Sequence, residues 1–297
     1  MTKPLRIGTR RSKLALAQAH EVADRLAAHG VMTELVPMVT SGDRGASPEA
    51  SPAGLKGLFV QEIVRALQEG HVDLAVHSAK DLPVEDPPGV TVAAIPERAR
   101  PFDLLLTREP ELADGAVVGT SSLRRRGLLV RSRPTLRIVE LRGNVDTRLR
   151  KMADGEVDGL VLAAAGLARL RIEPVHAEEL SVEDMTPAPG QGALAVQARP
   201  GDPAAEVAAA IDHEPSRIAF DAERLLVELL GGGCAVPMGA YAEMAEPGVW
   251  LRAVVVRPDG TGRLGAQARG RTPEEAAHRV ASRLRAAGAD DVLAGLV

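Results

Sequence analysis

"LRIGTRRSKLALAQAHEVADRLAAHG", residues 5–30, sets the reading of the whole chain. A short apolar run, Leu5 to Gly8, gives way to the polar turn Thr9-Arg10-Arg11-Ser12. Ser12 then stands where a helix N-cap is needed. From Lys13 onward apolar residues recur at helical spacing, and Gly30 suits a helix stop. The order is strand, turn, helix. It returns in "GAVVGTSSLRRRGLLVRS" (115–132), "RIVELRGNVDTRLRKMADG" (137–155) and "DGLVLAAAGLARL" (158–170), with no exact sequence repeat. Strands alternating with helices predict α/β layers.

Between these units, "TELVPMV" (33–39) reads as a second strand and "LFVQEIVRALQEG" (58–70) as a helix. "VDLAVHSAKDLP" (72–83) is a strand running into a polar turn. The Gly/Ser/Pro/Ala-rich stretch 40–57 reads as a long mobile loop, and its 43–57 part is expected to act as a lid. "AAIPERARP" (93–101) and "TPAPGQGA" (186–193) are hinge candidates. From about residue 213 the pattern changes. A helix ends in three glycines, a hairpin turns at Pro258-Asp259-Gly260, and Thr272-Pro273 with Glu275 begins a capped helix. This last part is a separate α+β module.

The chain has 297 residues, 45% of them hydrophobic, with a formal net charge of -4. That supports a real core and more than one domain. One cysteine excludes a disulfide framework and any cysteine-based zinc or iron–sulfur site. The seven histidines form no H-x-x-x-H pair, so no metal is expected. No P-loop and no G-x-G-x-x-G after a strand supports a nucleotide site. Aromatics at 2% and the acidic balance argue against nucleic acid. No apolar signal segment opens the chain and no run is long enough for a membrane span, so a cytoplasmic protein without a membrane partner is expected.

Several strand ends share one chemistry: a hydroxyl, an arginine and a helix start. They are Thr9-Arg10-Arg11-Ser12, Thr120-Ser121-Ser122-Leu123-Arg124-Arg125, and Arg142-Gly143-Asn144 with Arg148 one turn on. Helix N-termini favour anions, and arginine presents a planar fork to carboxylate or phosphate. Ligands of open α/β sheets bind at the carboxyl ends of the strands. One cleft for a multiply anionic ligand follows; solvated surface arginines are the plainer alternative. Lys80-Asp81 alone among these turns offers a carboxylate. As an anion it would stabilise a developing cation, and if buried it could act as a general acid; a turn or capping role is the alternative. The lone Cys234, preceded by Gly231-Gly232-Gly233, is either a small buried hydrophobe or a thiol given room for a bulky group.

In chain order, "TRRS", "LKGLF", "VHSAKDLP", "GTSSLRR", "LRGNVDTRL", "AAAGLARL", "PAPGQGAL" and "GGGCAVPMGAY" resemble the porphobilinogen deaminase family over nearly the whole chain. The resemblance implies head-to-tail joining of four porphobilinogen molecules, loss of ammonia at each step, and release of hydroxymethylbilane by water. It implies a dipyrromethane cofactor on a thioether to Cys234, with Asp81 catalytic. Lys80, Thr120, Ser121, Ser122, Arg124, Arg125, Arg142 and Gly143 would hold the cofactor. Arg10, Ser12, Lys56, Phe59, Arg148, Arg169 and Gln191 would hold substrate and the growing polypyrrole chain.

The implied fold is α/β, with two periplasmic-binding-protein-like α/β domains plus a smaller C-terminal α+β domain. Domain 1 would comprise 1–95 and 191–211, domain 2 residues 96–190, and domain 3 residues 212–297. A monomer is implied. The sequence departs from the family pattern at Gly231, where an acidic residue is expected, at Ala235 for a glutamine, and at Ala79 for a methionine. The stretch around Asp103, "ERARPFDLLL", lacks some of the usual charge and leaves that residue's role open. A non-enzymatic small-anion-binding protein is the competing reading.

Overall fold

The computed structural model describes residues 3–39, 52–231 and 236–294, with the backbone alone for residues 52–59. Cys234, most of the expected lid, and the side chains of Lys56 and Phe59 lie outside the described residues.

In the first part, β1 (Leu5–Arg10), α1 (Lys13–Ala28), β2 (Thr33–Met38), α2 (Pro52–Gln68), β3 (Leu74–Ser78) and β4 (Thr91–Ala94) follow one another. The second part contains β5 (Asp103–Thr107), β6 (Val117–Gly119), α3 (Leu123–Ser132), β7 (Arg137–Val139), α4 (Val145–Ala153), β8 (Gly159–Ala163), α5 (Ala164–Arg169) and β9 (Ala177–Glu179). Then come β10 (Leu194–Ala198), α6 (Pro203–Ala209), α7 (Glu214–Leu229), β11 (Met238–Met244), β12 (Val249–Val255), β13 (Leu264–Gly270), α8 (Pro273–Ala286) and α9 (Ala289–Ala294).

Two five-stranded sheets share one plan. Their orders are β2-β1-β3-β10-β4 and β7-β6-β8-β5-β9. In each, four strands run the same way and the strand in the fourth position is antiparallel to both its neighbours. Those antiparallel strands arrive from the other half of the molecule. β5 follows the first crossing segment, 95–102, and β10 follows the second, 187–193. The third sheet is an antiparallel meander, β11-β12-β13.

Period-two alternation distributes each strand between two apolar layers. On β3, Leu74 and Val76 join Ala19, Val22 and Leu26 of α1, while Ala75 joins Ile63, Val64 and Leu67 of α2. Each fully buried leucine or isoleucine here contributes about 1.5–3 kcal/mol. In the second sheet, Leu105 and Val161 pack with Leu128 and Leu129 of α3, and Leu106, Leu160 and Leu162 with Leu167 of α5. Helix caps follow the sequence: the hydroxyls of Ser12, Ser122 and Thr272 accept from the N–H groups of Ala15, Arg125 and Glu275. Glu275 reaches Arg271 N rather than the Thr272 N–H of a capping box.

One boundary differs. The expected loop runs to residue 57, but α2 begins at Pro52. Proline fits the first turn of a helix, where its missing N–H costs nothing.

The C-terminal module wedges into both halves. Val254 and Val256 complete a core layer of the second sheet, Phe220 of α7 enters a layer of the first, and Val84 packs on the module's own core. At the junction lies Glu223, with no exposure. Its Oε1 accepts from Arg98 Nη1 at 2.6 Å and Ala242 N at 2.7 Å, and its Oε2 from Gly190 N at 2.6 Å and Arg98 Nη2 at 3.2 Å. One carboxylate thereby joins both crossing segments to β11.

We expect Glu223→Ala to lower stability by about 3–5 kcal/mol, because it strands the buried Arg98 charge. Urea unfolding followed by the emission of Trp250, the only tryptophan, checks this; a loss below about 1 kcal/mol contradicts it.

Candidate active site

The carboxyl ends of β1, β3, β6 and β8 open on one cleft of about 410 Å³, bounded on its remaining side by α7 and Val236. From the first half come Arg10, Ser12 and the Ala79–Asp81 turn, a single 3-10 turn after β3. From the second come Ser121, Ser122, Arg124, Arg125, Gly143 and Arg148, together with Arg169 at the end of α5. Among the described lining residues eight are lysine or arginine, and Asp81 and Asp146 are the acids. The cleft is cationic although the chain is not.

Asp103 opens β5 and is completely buried. Its Oδ2 accepts from Arg124 Nη2 at 2.8 Å, and its Oδ1 from Arg125 Nη2 at 2.7 Å and Gln191 Nε2 at 2.8 Å. Burial opposes ionisation, but the guanidiniums of Arg125 and Arg124 together outweigh it and hold this carboxyl well below the usual carboxylate range. Arg124 Nη1 also donates to Thr186 O, and Arg125 Nη1 to Val161 O. Both forks are thus fixed before any ligand arrives. Their Nε atoms are buried and have no hydrogen-bond partner.

Arg148 donates to Gly143 O at 2.7 Å and Ser121 Oγ at 3.2 Å. Burial, and then the nearby Arg125 charge, push its guanidinium down to about 10, so it remains a cation at neutral pH. Gln191 is buried, and its Oε1 faces Lys80 Nζ at 3.4 Å and Arg125 Nη2 at 3.5 Å. Arg169 bridges the halves, donating to Glu21 Oε2 at 2.8 Å and Gly192 O at 3.0 Å. Gln191 and Arg169 therefore hold the two halves together, beyond any contact with ligand.

Two glycines shape the floor. Gly190 has φ +72°, and a Cβ there would lie 2.9 Å from Lys80 N; Gly192 has φ +88°, and a Cβ there would lie 2.3 Å from Ala99 O. Only glycine allows the second crossing segment to lie against the Lys80 turn and the first segment.

Two expected residues stand elsewhere. Arg142 does not line the cleft; its side chain is half exposed and donates to Glu140 at 2.6 Å, an acid two residues away on the same loop. Thr120 is buried behind the cleft wall, where its hydroxyl accepts from Ser122 N and shapes the turn. Sequence reasoning missed Arg224, Lys13 and Gln18, which also line the cleft. His77 is a buried residue of β3 with an unpartnered Nε2. Burial, only partly opposed by Asp81, pushes the His77 imidazole down to about 4, so it adds no charge at neutral pH. Among the described residues no cluster of three or more His, Cys, Asp or Glu could hold a metal, and no helix is long and apolar enough to cross a membrane.

Residues 5–207 match the dipyromethane cofactor-binding domain of porphobilinogen deaminase, and residues 218–286 match that enzyme's C-terminal domain. The chain belongs to the porphobilinogen deaminase family. It is 46% identical to the porphobilinogen deaminase of Rubrobacter xylanophilus, over 99% of this chain and 97% of that one. It is 45% identical to that of Brevibacillus brevis, over 97% and 96%. Among solved structures, an ancestral cationic amino acid solute-binding protein is similar over 70% of this chain and 87% of its own, at TM-score 0.43 and 16% identity.

As a porphobilinogen deaminase family member the chain is an enzyme, a transferase of tetrapyrrole synthesis, with dipyrromethane as cofactor. The cleft fits such a group. A dipyrromethane bearing acetate and propionate arms needs several fixed cations, and the buried, unpaired Nε atoms of Arg124 and Arg125 are free to donate to carboxylates.

Asp103→Asn should leave two buried guanidiniums without a counter-charge and cost about 3–5 kcal/mol at neutral pH. Asp103 has a depressed pKa, so its contribution is complete above the unfolded value of about 3.9 and disappears as pH falls toward the folded one. The gap between native protein and Asp103→Asn in urea unfolding should therefore stay constant from about pH 7 to 5 and narrow below about pH 4.

Proposed function

We propose that this chain condenses porphobilinogen head to tail on a dipyrromethane carried by Cys234, with Asp81 as the catalytic group. The observation that carries the proposal is charge placement. Arg10, Lys80, Arg124, Arg125 and Arg148 line the same cleft as Asp81, which closes the turn after β3.

The arginines bind and orient carboxylate arms. Because Asp103 and main-chain carbonyls already hold Arg124 and Arg125, no reorganisation is needed when ligand enters. The same cations make the cleft hostile to positive charge. Loss of ammonia from the aminomethyl group of porphobilinogen leaves positive charge on a pyrrole nitrogen, and Asp81 offsets it. The Asp81 carboxylate can also hold the proton released when the new carbon–carbon link forms. When bound, the dipyrromethane supplies the nucleophilic pyrrole carbon on which the chain grows. Cys234 follows α7 by five residues and precedes Val236, a cleft-lining residue, which supports an anchor at the cleft's edge.

We read the domains as 1–95 with 191–211, 96–190 and 212–297, and the working form as a cytoplasmic monomer. The sheet topology supports the first point and the single cysteine supports the compartment.

The intact mass of the purified protein tests the anchor. It should exceed the chain by two deaminated porphobilinogen units, and Cys234→Ser should lack the excess. A bare-chain mass that persists after incubation with porphobilinogen would overturn the reading. Asp81→Asn should fold normally and lose at least about 100-fold in turnover; near-normal turnover would remove Asp81 from the mechanism.

A further inference from the structure

We infer that Arg224, on α7 of the C-terminal module, is a positioning residue for Asp81. It acts by gripping the exit of the Ala79–Asp81 turn. Arg224 Nε donates to Val84 O at 2.6 Å, and its Nη2 to Pro83 O at 3.3 Å and Asp86 Oδ1 at 2.9 Å. The guanidinium lies over the Phe220 ring, 5.7 Å from its centroid. Phe220 and Leu82 share one core layer of the first sheet, while Val84 packs on the core of the C-terminal module. The chain leaving Asp81 is thus pinned at Leu82, Pro83, Val84 and Asp86.

The residue before Arg224 secures the other side. Glu223 Oε2 accepts from Gly190 N at 2.6 Å, and Gly190 lies against Lys80 N too closely for any Cβ. Consecutive residues of α7 therefore hold both flanks of the turn. Arg224 also lines the cleft, but Nε and Nη2 are already committed to the chain itself. Its effect passes through the turn rather than through a ligand carboxylate. A displacement of about 1 Å at a reacting group can cost on the order of 100-fold in rate.

The inference rests on Asp81 being catalytic, and the test separates the two. Holoenzyme carrying Arg224→Met keeps the apolar stem over Phe220 and loses every donor. Its kcat for porphobilinogen should fall about 10- to 100-fold, with KM within about threefold of native. Its intact mass should still include the cofactor. Arg224→Lys, which keeps charge and stem but not the planar fork, should show the same split with a smaller loss; it carries the test if Arg224→Met does not fold. In an Asp81→Glu background, where the carboxylate is already displaced, Arg224→Met should cost less than about twofold more. A raised KM with unchanged kcat would make Arg224 a substrate ligand and overturn the inference. Losses that multiply in the Asp81→Glu background would overturn it too, because Arg224 would then act independently. Full turnover by Asp81→Asn would remove the catalytic reading itself, and the inference with it.

Discussion

The carboxylate of Glu223 is the contact on which the cleft depends. A carboxylate without solvent survives only if it is saturated with donors, and this one takes four from three separate segments. The donors are Arg98 on the first crossing segment, Gly190 on the second and Ala242 on β11. None of them lies near another in sequence. Losing Arg98 would leave the buried charge uncompensated, and losing either backbone N–H would leave a buried oxygen short of a donor. What the junction brings together is the base of the cleft: the second crossing segment against the Lys80 turn, and the C-terminal module against both.

A second buried acid acts in a different way. Asp103 is wholly buried and spaces two arginines that would otherwise repel each other. Two guanidiniums around one carboxylate leave a net positive charge behind the cleft wall, with two Nε donors unsatisfied. Such a wall is pre-formed for anions. Asp81 and Asp146 are the two acids among the described residues that line this cationic cleft.

Much of this was legible in the sequence, for physical reasons. Ser12 and Thr272 cap their helices where a hydroxyl precedes an apolar period in the sequence. The alternation of strand and helix gave the α/β layers, and hydroxyl-arginine pairs at strand ends gave the cleft. The misses share one cause: they depend on what a side chain meets far along the chain. Glu223 and Arg224 look like the polar face of an amphipathic helix, yet both turn inward. Arg142 shares the strand-end context of Arg124, and its pairing with Glu140 on its own loop needed the structure. Asp103 shows little by itself, because its partners lie more than one element away. Arg169 and Gln191 were expected at the cleft; that they also tie its halves together needed the structure. Cys234 lies outside the described residues, so its place rests on sequence and family.

The return of β10 to the first α/β half, only after the whole second half, also governs how the molecule can be made. The second sheet uses strands from one continuous stretch, Asp103 to Glu179. The first cannot close until β10, beginning at Leu194, slides between β3 and β4. As the chain leaves the ribosome, the second sheet can therefore close before the first. Until then the first sheet exposes unpaired edges of β3 and β4, a surface open to wrong pairing. The N-terminal part of this chain is born waiting for its middle.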